Sequence, residues 1–400
     1  MNKGFRLFLC VFLILLPCMV IWSFDFGLML DQTGGVSGAG SSTSKDYSVS
    51  LIPRFSAFLS DRSEFFVSAS GTAEYSNENW TLIPELMRTD LTYRFDSGNF
   101  RIGRMYYSDP LGFITDGLFD GAMLGYYTPM GIFSVGAWYT GWLYKNRANI
   151  VMTDKDAEDI ATEIDYSDFA NTYFASKRII AALGWEHPGL GGYLRSKFTF
   201  LAQFDNTGEG LNTQYFIAKL SLPITSFVFD LGGTLELKEL AGEVKTALAG
   251  EMGLSWMTPA PFDDRLALTG RTSSGSTEAM SSFVPVTTVA QGSVLKPKIT
   301  GLSTIALDYT ARLAPTFGVS VSSTYFIRND FITFMNYPVS EGDPMAYLMG
   351  NEFFGWLLWS PVSDLRINLG GGIFLPSMGN VAPDAYNLWR IELNVILALY

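Results

Sequence analysis

Cysteine is almost missing. Cys10 and Cys18 are the two in 400 residues, and both lie near the amino terminus. A mature chain that starts beyond them has no disulfide framework, no thiol nucleophile and no cysteine metal site. Histidine is scarcer still, with His187 alone. Charge is thin: 16% of residues are charged, with 27 basic against 39 acidic side chains and a net charge of −12. That balance argues against a nucleic-acid surface. Past residue 23 no stretch approaches the roughly 18–20 uninterrupted apolar residues of a membrane helix.

One long apolar run does exist, at the start. Lys3 and Arg6 precede Leu7–Trp22, the layout of a secretory signal peptide. Residues 1–23 are read as that signal, cut after Ser23. A lipoprotein cut before Cys18, which would need a small residue in place of Pro17, and an uncleaved anchor are the rivals. The remainder, 24–400, has no Pro- or Ser-rich linker and reads as one domain.

Aromatics make up 15% of the chain and glycines number 39. The apolar period is two nearly everywhere. In 47–59, Tyr47, Val49, Leu51, Phe55 and Leu59 alternate with Ser48, Ser50, Arg54 and Ser56. In 226–238, Phe227, Phe229, Leu231, Leu235 and Leu237 alternate with Asp230, Thr234, Glu236 and Lys238. About eighteen such segments are expected: 25–32, 45–59, 63–76, 85–95, 99–107, 118–127, 131–142, 174–186, 191–204, 212–222, 224–238, 243–257, 262–272, 299–313, 315–328, 344–359, 363–375 and 386–400. The pattern is weakest at 25–32 and 118–127, and without them sixteen remain.

A soluble sandwich alternates too, with its apolar face inside. Three patterns favour a transmembrane antiparallel up-and-down β-barrel, apolar face out. First, every second connection is short, such as "DSG", "PMG", "PIT" and "APT". The others are long: 33–44, 77–84, 108–117, 143–173, 205–211, 273–298, 329–343 and 376–385, with 239–242 the exception. Second, aromatics fall at strand ends. Trp185, Trp256, Trp359, Phe65, Phe95 and Tyr127 mark one rim; Tyr47, Tyr75, Tyr107, Trp142, Tyr325 and Trp389 mark the other. Such girdles suit rings that sit between lipid and water. Third, the apolar faces carry essentially no charge at mid-strand, where one would cost ~2–4 kcal/mol; Asn351 is the most polar residue there.

The chain ends "NLWRIELNVILALY". Trp389, Ile391, Leu393, Val395, Leu397 and Leu399 share one face; Arg390, Glu392 and Asn394 share the other. A barrel closes by pairing its last strand with its first. Segment 386–400 resembles the C-terminal signal of bacterial outer-membrane β-barrel proteins, although Tyr400 is out of phase with the apolar series. The resemblance implies recognition by the barrel-assembly machinery, an outer-membrane lipid environment and a diderm bacterium. The whole layout resembles sixteen- and eighteen-stranded porins, for which a homotrimer is one expectation.

The face opposite the lipid is rich in Ser, Thr and Gly, which leaves room for water. Its basic residues are Arg54, Arg88, Arg94, Arg101, Arg178, Arg195, Lys197, Lys219, Lys245, Arg265, Arg271, Arg312, Arg366 and Arg390. The acids are fewer, with Glu251, Asp308 and Glu352 the central ones. Opposed charges around a pore set ion selectivity, so a mildly anion-favouring constriction is one reading; cross-strand pairs that stiffen the wall are the other. Asp154, Asp156, Glu158 and Asp159 crowd the 143–173 loop, with apolar residues at helical spacing. A short helix at the pore mouth, a Ca²⁺ site and a solvated acidic loop all fit, but the EF-hand spacing is absent. The 273–298 loop reads as a flexible surface loop.

Catalysis is not expected. Surface hydrolases need a histidine base, and His187 sits beside Pro188 at a turn on the short-turn side. "GLGGY" lacks the Lys-Ser/Thr of a phosphate loop, and nothing indicates a cofactor. Three functions stay open: a diffusion pore for small hydrophilic solutes or ions, an occluded barrel acting as adhesin or receptor through its loops, and a transporter of apolar solutes along Phe58, Phe66, Trp138, Phe326, Phe354 and Trp356.

Overall fold

A computed structural model describes residues 23–76, 78–208, 210–278, 280–334 and 345–399. The expected leader, Ser23 excepted, and Tyr400 lie outside the described residues. The strands are β1 (Ser23–Ala39), β2 (Ser42–Ser60), β3 (Ser63–Ser76), β4 (Asn79–Phe95), β5 (Gly98–Ser108) and β6 (Asp116–Thr128). Then come β7 (Gly131–Tyr139), β8 (Arg178–Leu190), β9 (Leu194–Asp205), β10 (Asn212–Ile224), β11 (Phe227–Leu240) and β12 (Glu243–Met257). The last six are β13 (Arg265–Ser273), β14 (Leu302–Ala314), β15 (Phe317–Arg328), β16 (Leu348–Val362), β17 (Leu365–Leu375) and β18 (Leu388–Leu399). Each pairs antiparallel with its chain neighbour, and β18 pairs with β1 from Leu28↔Leu399 to Ala39↔Leu388, closing an 18-stranded barrel. No helix among the described residues is long and apolar enough to cross a membrane.

Closure satisfies the backbone, and alternation sorts the side chains. Leu183, Leu231 and Met252 stand more than half exposed on the outer wall. Trp256 stacks on Phe227 near one rim, with centroids 6.0 Å apart and planes 11° apart. Near the other rim Trp80 packs against Tyr47 and Tyr75. Asn351 is not an orphan: its amide donates to Ser323 Oγ on the adjacent strand at 3.0 Å.

Two expected long connections are tight turns instead. β1 runs on to Ala39 and turns at residues 40–41, with Gly40 at φ +57°, a region that favours glycine. β3 and β4 meet through the pair Ser76↔Asn79. These extensions are rich in Gly, Ser, Thr and Asn, so they lack the apolar period that marks a strand within lipid. The connections on the other side are all short, the longest spanning 258–264.

The outer wall also carries charge that the sequence did not reveal. Arg104 shares a face with Phe100, Ile102 and Tyr106 yet is nearly buried, bidentate to Asp120 on β6 at 2.7 and 2.8 Å. It also donates to the carbonyls of Leu86 and Trp142. The reason lies in β4. Met87 is bulged between the pairs Ser68↔Arg88 and Ala69↔Leu86, and β5 pairs with β4 only from residue 89 downward. The upper edge of β4 therefore has no strand beside it. Arg104 caps Leu86, Tyr173 donates to Pro84 O, and Tyr166 Oη both accepts from Leu82 N and donates to Leu82 O. Such capping manages a liability of open edges.

A charge on the lipid face of the closing strand tests the orientation. Leu393→Arg is expected to destabilise the folded barrel by roughly 2–4 kcal/mol if it lies near the midplane, read by urea unfolding in micelles. Asn394→Arg, one residue along and facing inward, is expected to cost much less. Equal losses would overturn the assigned faces.

Candidate functional site

The lumen is the candidate site, and loops fill part of it. Three connections, 109–115, 140–177 and 274–301, fold inward against β6–β12. Leu111, Phe113, Ile114, Leu143, Ile150, Phe283, Val286 and Ile299 pack there on Phe119, Trp138, Ile180, Leu201, Tyr215 and Ile217 of the inner wall. A smaller cluster joins Leu295 and Val381 to Phe326, Met349 and Phe374. The interior of this barrel is thus partly a conventional apolar core, built from loops.

Four buried carboxylates pin those loops. Asp109 accepts backbone N–H groups from Leu111, Gly112, Ile114 and Thr115 at 2.7–3.1 Å, which winds 109–115 into a tight knot. Glu236 on β11 accepts from Val284 N at 2.9 Å, and Tyr215 donates to Val284 O at 2.6 Å. Glu352 on β16 accepts from the N–H groups of Ser293, Val294 and Leu295 at 2.6–3.0 Å. The 273–298 segment is therefore no flexible surface loop. Phe283 and Val286 are fully buried, and the segment crosses the lumen from β11 to β16.

Asp156 is the fourth pin. The 140–177 connection contains α1 (Lys145–Ala148), α2 (Asp154–Ala161) and α3 (Phe169–Thr172). Thr153 and Asp156 form a capping box that starts α2. Asp156 is 2% exposed and pairs with Arg178 at 2.7 Å, and Arg178 is itself fully buried and lies 3.6 Å from Asp205. The solvated-loop expectation fails at Asp156 but holds for the exposed Asp154, Glu158 and Asp159. Lys145 donates to the carbonyls of Asp159 and Thr162 at the carboxyl end of α2. Burial pulls its ammonium below the usual lysine range, opposed by the nearby Asp159. Among the described residues no cluster of three or more metal-ligating side chains occurs.

The candidate lumenal charges gather in separate groups. Arg88 and Arg101 converge on the buried Asp90, and Arg88 covers Phe66 at 4.5 Å. Lys219 and Arg271 converge on Glu251 at 2.7 and 3.3 Å, and Arg271 reaches Gln291 of the crossing loop. Arg390 pairs with Glu392 and Asp46 at 2.6 and 3.4 Å. Arg265 donates to Ser255, with Asp308 half-buried on the next strand. Arg54 lies across Gly27, where a Cβ would come within 2.5 Å of its Nε.

Other candidates sit near the short-turn rim. Arg94 pairs with Glu64 and Lys197 with Glu186, both partly exposed; Arg312 donates to Pro315 O. Arg195 and Arg366 are exposed and form no ion pair among the described residues. Arg147, missed from the sequence, pairs with the buried Glu85 and closes one side of a cavity of about 330 Å³ lined by Asp31, Asp46 and Glu74. His187 Nδ1 accepts from Gly189 N at 3.1 Å, a turn-local bond.

No family model matches the chain, and no curated protein matches it. Solved structures do. Pseudomonas aeruginosa OccK2 (OpdF) is similar at 12% identity and TM-score 0.64, covering 94% of this chain and 98% of that one. The same protein in complex with glucuronate gives 11%, 0.62, 94% and 96%. Acinetobacter baumannii OccAB1 gives 12%, 0.59, 94% and 97%. At such identity the likeness is one of fold, and it extends over nearly the whole of each chain.

Removing one member of a buried ion pair is expected to loosen what it pins. Arg178→Leu leaves Asp156 and Asp205 buried without their cation, a change of about 3–5 kcal/mol. Faster amide hydrogen exchange across 145–161, with strand exchange unchanged, is the expected outcome. Unchanged exchange in α2 would show that Asp156 does not hold it.

Proposed function

We propose that the chain is an outer-membrane channel through which small hydrophilic solutes diffuse, with a weak preference for anions. The observation that carries this reading is the pairing of an apolar, exposed outer wall with a polar inner wall, narrowed by inward loops. A closed barrel of eighteen strands is wide enough for an aqueous path, and the half not filled by 109–115, 140–177 and 274–301 is lined by Ser, Thr, Asn and charge.

Two of the three inner charge groups hold two cations around one carboxylate: Arg88 and Arg101 at Asp90, Lys219 and Arg271 at Glu251. Each leaves one positive charge toward the lumen, which favours anions in a narrow space. Glucuronate, bound in the OccK2 complex, is a small hydrophilic anion of the kind such a path would pass. Strand β18 supplies the segment that assembly machinery would read, and a homotrimer is compatible with the exposed outer wall. The burial of Phe283 and Val286 speaks against an adhesin built on 273–298. The covering of Trp138, Phe326 and Phe354 speaks against a continuous greasy path.

Planar-bilayer recording of the refolded mature chain tests the reading. Stepwise conductance with an anion-favouring reversal potential under a salt gradient is expected. Lys219→Glu with Arg271→Glu is expected to move that potential toward cations. A silent bilayer from protein shown to be folded by heat-modifiable gel migration would overturn the channel.

A further inference from the structure

On the inner face of β16 one tryptophan stays partly exposed among polar neighbours. Trp356 lies on the inner face of β16, opposite Ser320 on one side and Gly370 on the other. Its six-membered ring rests directly on Gly370: a Cβ there would stand 2.7–2.9 Å from Cζ3, Cε3 and Cη2. Glycine at that position lets the indole lie flat on the wall. Phe354, buried and seated over Gly372 in the same way, supports its edge at 5.5 Å and 57°. The indole remains partly exposed, and among the described residues its N–H has no acceptor.

Trp138 shows the contrast. It too lies over glycines, Gly121 and Gly136, but Tyr107 closes on it at 4.3 Å and it is 3% exposed. Trp138 belongs to the loop-filled half of the lumen; Trp356 belongs to the polar half.

The surroundings of Trp356 are polar and regularly spaced. Beyond Gly370 comes Glu392, held by Arg390. One step down the same face, Asn368 donates to Asn394 at 3.1 Å, while its own Oδ1 is buried without a partner. A flat apolar face ringed by carboxylate, amide and hydroxyl groups is the complement of a pyranose ring. Such a sugar has an apolar C–H face and a rim of hydroxyls that both donate and accept. An apolar solute would stack equally well but would leave that polar rim desolvated and unpaired.

We propose that Trp356 is the stacking platform of a sugar subsite on the β15–β18 wall, selecting solutes that carry a pyranose ring. The proposal rests on the channel reading for its purpose, but its test does not need conduction. Saturation-transfer NMR on the folded mature chain in micelles compares glucose with sorbitol, which has similar size and hydroxyl count but no ring face. Glucose is expected to bind and sorbitol to bind much more weakly. Trp356→Ala is expected to weaken glucose binding by up to about tenfold, the scale of one aromatic contact, with Trp356→Phe retaining part of it. Gly370→Val, which lifts the indole off the wall, is expected to act like Trp356→Ala and serves if that variant misfolds. Equal binding of glucose and sorbitol, or unchanged binding in both Trp356→Ala and Gly370→Val, would overturn the subsite. A silent bilayer with intact glucose binding would overturn the channel and leave the subsite standing. Open channels that glucose and sorbitol block equally would do the reverse.

Discussion

Hydrocarbon offers no partner to a peptide N–H or C=O, and that constraint organises this molecule. Eighteen strands must close on themselves, so β18 takes its place beside β1. Where the ladder cannot continue, side chains take over from it. The upper edge of β4 is the clearest place: with β5 parting from it beyond Thr89↔Arg104, Tyr166, Tyr173 and Arg104 supply the hydrogen bonds that a neighbouring strand would have made. Arg104 needs Asp120 for neutrality on an outward face. A charged pair on the lipid side is therefore a consequence of the incomplete β4–β5 ladder.

Closure creates a second problem, because a barrel this wide encloses more space than its own side chains fill. Here the loops fill it. Their own polar backbone must then be satisfied away from bulk water, and the four carboxylates do so from fixed positions. Asp109 serves its own loop; Glu236 and Glu352 reach in from the wall; Asp156 reaches out to the wall through Arg178. Asp109 and Glu352 are matched by several N–H donors and Asp156 by a guanidinium, the condition under which burial of a carboxylate is tolerable. Glu236 has the single N–H of Val284 and a buried Oε1 with no partner. The same residues fix where the loops lie within the lumen.

The barrel itself was legible because lipid enforces a strict period of two. Leu393 and Asn394 differ in fate by one residue, and alternation alone told them apart. Legibility ended where lipid contact ended. Gly34 to Ser44 and the stretch around Trp80 extend past the apolar belt, so their strands carry no alternation and resembled loops. The bulge at Met87 reverses phase between Leu86 and Arg88, and periodicity cannot show which residue is extra. Inside, parity put Arg88, Arg101, Lys219 and Arg271 on the face opposite the lipid. It could not pair them, because a partner such as Asp90 or Glu251 depends on register between strands. Asp156 looked like one acid among many. Phe283, Val284, Val286, Leu295 and Ile299 were the overlooked signal that 274–301 is buried, since a solvated loop has no use for five apolar residues.

Filling one side of a barrel gives the remaining passage a direction. Loops packed chiefly on β6–β12, with 293–295 anchored at Glu352 on β16, leave the polar inner faces of the other strands less covered. Those faces hold the arginine pair at Asp90, the acidic cavity beside Arg147 and the flat indole of Trp356. On the channel reading proposed above, a solute confined to one wall meets these features in turn, where in an open cylinder it would pass most of them at a distance. Selectivity in such a channel does not require a closed ring of charge. It requires that the plug stay in place, so that every passing solute is pressed toward the same few side chains. On the same channel reading, the buried ion pair of Asp156 and Arg178 and the three N–H bonds to Glu352 bear on transport by fixing the loops that narrow the lumen.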